Sequence, residues 1–233
     1  MKLSVAEKVA VDKITIEKFN VAWFKLAEFV GRKEKERALG VYRLLSHSLP
    51  DDAFAAQLEG DLFMAFQDDK ALDAYQRSAK LYEKNGQFTH AALIYEQMML
   101  LKPENKDYLI QALKLYEIIK NDVKIARCAS QLSRLLIKNS SLDAHHDLMA
   151  TISCTTECLL YIQEWSVISL IEFQPEQNEL IQDYLVIIMR AFDRETDYYS
   201  KRLTLFLAKL SALNNRWYEF AYQLLKSYQN IAA

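Results

Sequence analysis

From residue 16 to residue 138 the chain is built of seven apolar-striped segments that follow one another at a step of roughly 18 residues. Such a step leaves room for a helix of about four turns and a tight connection, and little else. The first stripe places Ile16, Phe19, Trp23, Leu26, Ala27 and Val30 at three- and four-residue intervals, the spacing of one helix face. The charged run 31–36 then reads as a solvated turn. A second helix over about 35–48 turns Ala38, Tyr42 and Leu45 inward and stops before Pro50. A third over about 52–66 buries Leu58, Leu62, Phe63 and Phe66, with Gly60 allowing close approach. The next four span about 69–84, 87–101, 105–119 and 122–138. Their punctuation is Asn85-Gly86, Pro103 and Asn121-Asp122, residues that end or start helices. Ahead of them, Ser4 with Glu7 marks a capping box, with a break expected at 13–15. Only 4 Gly and 3 Pro occur in 233 residues, where average usage for the two is roughly 12%. So few turn formers favour helices over a many-stranded sheet.

One spacing does not fit a simple alternation of helices. Pro50 and Pro103 are 53 residues apart, about one and a half periods of a 34-residue helix-pair repeat. Either one helix is supernumerary, or the motif residues serve both faces of a nearly symmetric array. After Asn139 the pattern changes. Residues 140–172 read as one long or two broken helices, and Gln174-Pro175 is a break. Amphipathic helices then follow over 176–193 and 196–213, with a last one after Asn214-Asn215. The division expected is therefore 1–139, helical repeats, and 140–233, divergent repeats or a helical cap.

The residues of 72–103 carry the most specific pattern: Tyr75, Ala79, Tyr82, Gly86, Ala91, Tyr95, Met98 and Pro103. Large side chains lock an antiparallel pair, small ones let the backbones approach, and proline closes the second helix. In this the chain resembles the tetratricopeptide repeat family over residues 16–138. A first pair carries Trp23, Leu26, Ala27, Val30, Ala38, Tyr42, Leu45 and Pro50, and weaker pairs surround it. The resemblance implies an all-α, right-handed α–α solenoid of such pairs with a helical C-terminal extension. It also implies a concave groove that holds a peptide or helix of a partner. In the register of the first pair, Phe24, Glu28, Gln57 and Asp61 are the groove candidates. Some family members clamp a C-terminal carboxylate with cationic residues at these places. Phe24, Glu28, Gln57 and Asp61 offer no such clamp, which disfavours chaperone-tail binding.

The net charge of −2 argues against a nucleic-acid surface. Residues 1–139 carry 22 Lys+Arg against 19 Asp+Glu, and residues 140–233 carry 7 against 12, so the two parts present different surfaces. Three cysteines, Cys128, Cys154 and Cys158, make no disulfide framework and fit a reducing compartment. The N-terminal residues lack the apolar run of a signal peptide, and no stretch suits a membrane span. A cytoplasmic location is expected.

Residue types that bind metal gather once, at His145-His146 with Cys154 and Cys158. The setting is helical and without Gly-rich knuckles, so two packed cysteines and two surface histidines are the plainer reading. Asp51-Asp52 and Asp68-Asp69 stand at helix starts, where aspartate caps N–H groups. No phosphate loop, GxSxG elbow or HExxH pair is present, and no cofactor or metal is expected. Of 27 aromatic residues, Tyr198-Tyr199, Trp217-Tyr218 and Tyr222 crowd the last two helices, and some must face outward. The function expected is a non-catalytic scaffold or adaptor for a protein or peptide partner. Alternatives are a chaperone-like repeat protein that holds a secreted client, or an enzyme on a helical array, which would need a convergent polar cluster that these residues do not supply.

Overall fold

The computed structural model describes residues 20–49, 51–192 and 197–231. The expected capping box at Ser4, the break at 13–15, Ile16, Phe19 and Pro50 lie outside the described residues. Within them the chain is all-α, with no strand. The helices are α1 (20–31), α2 (Lys35–Ser46), α3 (Asp52–Ala65), α4 (Lys70–Lys84), α5 (Phe88–Leu101) and α6 (Lys106–Ile118). They continue with α7 (Asp122–Lys138), α8 (Leu142–Thr151), α9 (Thr156–Phe173), α10 (Asn178–Phe192), α11 (Asp197–Leu213) and α12 (Asn215–Ile231). The expected boundaries hold to within about two residues, the margin within which helix ends are defined. Residues 140–172 resolve into two helices, parted at Ile152, whose backbone is extended.

Polar caps set the helix starts. Asp51 accepts the N–H of Ala53, Asn105 that of Asp107, Asn121 that of Lys124 and Asn214 that of Arg216. At α4 the cap is displaced by one residue. Asp69 makes no side-chain cap bond, and Asp68 accepts the N–H of Lys70 at 2.9 Å while also receiving Lys35.

The helix ends reveal the period. After α1, α3, α4, α6 and α7 the chain makes the same turn, with one residue in the left-handed region: Lys33, Gln67, Gly86, Lys120 and Ser140. In each, the next N–H returns to a carbonyl one turn inside the helix: Glu34 to Phe29, Asp68 to Phe63, Gln87 to Tyr82, Asn121 to Tyr116 and Ser141 to Leu136. After α2 and α5 no described residue enters the left-handed region, and the C-cap residues His47 and Lys102 keep negative φ. The order of connections is thus turn, open, turn over α1–α3 and again over α4–α6. Lys33 and Gly86, Gln67 and Lys120, and Pro50 and Pro103 are each 53 residues apart. The turn pattern thus recurs every 53 residues, once for each three helices.

The chain divides into two compact units, Met1–Lys102 and Pro103–Ala233. In the first, Leu26 of α1, Ala38, Tyr42 and Leu45 of α2 and Leu62 of α3 form one apolar cluster. α4 packs intimately against both α3 and α5. A Cβ on Gly60 would stand 2.6 Å from the Tyr75 ring, so glycine at this point is what lets α3 and α4 come together. In the second unit α7 pairs with α6 and lies along α9, where Ser133 and Ser166 hydrogen bond at 2.8 Å. One continuous core then runs from Ile137 of α7 through α9 and α10 to Trp217, Ala221 and Leu225 of α12. Asn139, the C-cap of α7, lies inside this unit. No described helix is long and apolar enough to cross a membrane.

Candidate functional site

In the first unit the motif tyrosines do more than fill space. The Tyr75 hydroxyl donates to Asp61 Oδ1 at 2.7 Å, Tyr82 to Gln57 Oε1 at 2.9 Å, Tyr42 to the Ala55 carbonyl at 2.9 Å and Tyr95 to Glu83 Oε1 at 2.8 Å. Ser78, where a larger apolar residue is usual, donates to the buried Ala53 carbonyl at 2.9 Å. Burial raises the Asp61 carboxyl above the usual carboxylate range, and the Tyr75 bond offsets that only partly. Gln57 and Asp61 are four residues apart on α3 and serve as acceptors for α4. Phe24 and Glu28 stand on α1, Phe24 77% exposed and Glu28 in an exposed ion pair with Arg32 at 2.7 Å. Two small hollows of about 190 and 210 Å³ open beside α3, the first lined by ion-paired side chains including Lys35 and Glu59.

In the second unit His145 is buried, a correction to the expected pair of surface histidines; only His146 is exposed. His145 is the one buried residue of α8, and its Nε2 lies 3.1 Å from the Tyr184 hydroxyl of α10. Leu142 and Met149 of the same helix pack, partly buried, against the core that contains Tyr184, and a polar ring beside them carries no inward signal in the sequence. Burial drives the His145 ring down to about 4, holding it neutral. Cys158 is buried and Cys154 half-buried, and burial raises both thiols. Among the described residues no three His, Cys, Asp or Glu side chains are grouped to hold a metal ion.

A trough of the second unit lies over one stripe of α9, flanked by α7 and α11. It consists of two adjoining depressions of about 860 and 480 Å³ that share Tyr161 and Arg202. Helix α9 supplies Glu157, Tyr161, Glu164 and Trp165, on one face by their spacing. Helix α7 supplies Val123, Ala126 and Arg127, and α11 supplies Lys201, Arg202, Leu205 and Lys209. Arg202 Nε stands 2.7 Å from Glu164 Oε1, with the side chains only 13% and 9% exposed. The N–H is not aimed along that contact, and the guanidinium lies over the Tyr161 ring at 5.6 Å. Burial pushes the Glu164 carboxyl up to about 7, the Arg202 charge offsetting only part of the cost. Lys209 Nζ sits 4.2 Å over the Trp165 ring. Val123 and Leu205 are exposed apolar side chains, at 80% and 66%.

Of the apolar residues of α11, Phe206 and Leu210 are buried, as an amphipathic helix over 196–213 requires. The sequence reading does not single out Lys201, Leu205 and Lys209. Their four-residue spacing was the available signal, but only the neighbouring α9 aromatics give it meaning. No protein-family model matches the chain, and a search of curated proteins finds no match either.

Proposed function

We propose that the chain is a non-catalytic scaffold or adaptor built of tetratricopeptide-like helix pairs with a third helix in each period. In this reading the array winds right-handed, as the family resemblance implies, and grips a peptide or helix of a protein partner. The observation that carries it is the recurrence of one turn geometry at Lys33, Gln67, Gly86 and Lys120, in step with the motif residues around Tyr42, Pro50, Tyr95 and Pro103. Stacked helix hairpins of this kind leave helix faces uncovered, and such faces serve as binding surfaces. Of the four groove candidates, Phe24 and Glu28 are the ones presented to a partner. Gln57 and Asp61 act behind them by holding α4 against α3 through Tyr82 and Tyr75.

Affinity capture on the tagged full chain, with mass spectrometry, tests the reading. A specific protein partner released by competing peptide is expected. Failure to retain any protein, together with turnover of a small molecule by the purified chain, would overturn it.

A further inference from the structure

The α9–α11 half of the trough has a chemistry that the rest of its surroundings lack. Residues 140–233 hold 7 Lys+Arg against 12 Asp+Glu, yet Lys201, Arg202 and Lys209 all meet along one wall. Arg202 is held against Glu164 at 2.7 Å and is largely buried. Lys201 and Lys209 are exposed and make no ion pair with a described residue. Between them, one turn from each, stands the exposed Leu205. Facing them on α9 are Tyr161, 38% exposed, and the half-buried Trp165. At the other end Arg127 is likewise exposed and without an ion pair, beside the exposed Val123.

We propose that this trough is a docking channel for an acidic amphipathic segment of a protein partner, its apolar side chains against Leu205, Tyr161 and Trp165 and its carboxylates on Lys201 and Lys209. The inference rests on the scaffold reading above and specifies the partner's chemistry. Cation–apolar–cation spacing at four-residue steps complements a helix that carries acid, apolar and acid residues at the same steps. Tyrosine and tryptophan at the floor are the side chains that most often anchor protein interfaces. A nucleic acid also pairs aromatics with cations. The α9–α11 half of the trough, however, sets an exposed leucine between its two lysines, which suits a helix with an apolar residue between two acids better than a continuous phosphate backbone.

The test uses the full-length chain and three labelled probes in fluorescence anisotropy. The first is a helical peptide with Glu and Leu/Phe on one face, the second is the same peptide with Lys for Glu, and the third is oligothymidylate. The Glu peptide is expected to bind, to weaken with added salt, and to lose about tenfold in affinity with Lys201→Glu/Lys209→Glu, where two attractive contacts become repulsive. Leu205→Asp, which keeps both lysines, tests the apolar contact separately and is expected to weaken the same peptide. Both changes fall on exposed positions, and matching thermal melts check that the fold is intact. Equal binding of the Lys peptide, tighter binding of oligothymidylate, no binding of the Glu peptide, or indifference to both variants would overturn the proposal. A partner captured equally by wild type and by Lys201→Glu/Lys209→Glu would also sink the channel while leaving the scaffold reading intact. Loss of every partner together with turnover of a small molecule would remove the scaffold reading itself.

Discussion

At the scale of the residue, four of the five left-handed turn positions are occupied by side chains that resist that conformation. Lys33, Gln67, Lys120 and Ser140 take φ between 53° and 60°, and only Gly86 is free of a Cβ. Charge runs and Asx residues mark where these turns fall, but the side chains at the left-handed positions do not, because the hydrogen bonds of the turn and the packing of the flanking helices impose that conformation against local preference. Gln67 and Lys120 are exposed, so Gln67→Gly and Lys120→Gly should each stabilise the chain by about 0.5–1 kcal/mol, read as a shift in urea midpoint. Unchanged or lowered midpoints would mean that the turns store no strain. Two buried titrating groups act in opposite senses. The unfolded chain protonates His145 below 6.5, whereas the folded ring resists until about 4, so its contribution is present above 6.5 and lost as pH falls to 4. Glu164, raised from 4.5 to about 7, contributes stability below 4.5 that is lost as pH rises to about 7. Urea melts across pH 4.5–7 should therefore show His145→Gln losing stability with rising pH more steeply than wild type, and Glu164→Gln the reverse. Parallel curves for all three would contradict the burial of these groups.

At the scale of the element, the apolar stripes place nearly every helix, since each needs one continuous face against a neighbour. They do not mark His145 as inward-facing, and they leave 140–172 open between one long and two broken helices, because the break at Ile152 carries neither glycine nor proline. Pairing between helices is less legible. The stripe of α7 does not say that α9, rather than the adjacent α8, will cover most of it; buried Ser133 and Ser166 decide that by letting the two backbones approach. A fragment ending at Asn139 would keep α6 and α7 and lose α9. Buried Ser133 would lose Ser166 of α9, and buried Ile137 would lose the apolar core it shares with α9 and α10. The fragment should aggregate or unfold without cooperativity, read by analytical ultracentrifugation and thermal circular dichroism. A monomeric, sharply melting fragment 1–139 would show that α7 does not depend on α9.

At the scale of the whole molecule, the two compact units meet in sequence at Lys102 and Pro103, and the described residues of each hold an apolar core. Amide exchange in rising urea should accordingly give one opening free energy for α2–α5 and a different one for α6–α12. A single shared value would show one cooperative body. By itself the sequence determined the all-α class, the helix boundaries and the 53-residue spacing of Pro50 and Pro103, because helical periodicity, caps and breakers act between residues near each other in the chain. Only the tertiary structure decided that α4 pairs tightly on both sides, that His145 goes inside, and that Lys201, Leu205 and Lys209 share a trough with Tyr161 and Trp165. Those outcomes depend on which faces meet, across 15 residues for Gly60 and Tyr75 and 39 for His145 and Tyr184, and local periodicity does not choose between the neighbours available to a face.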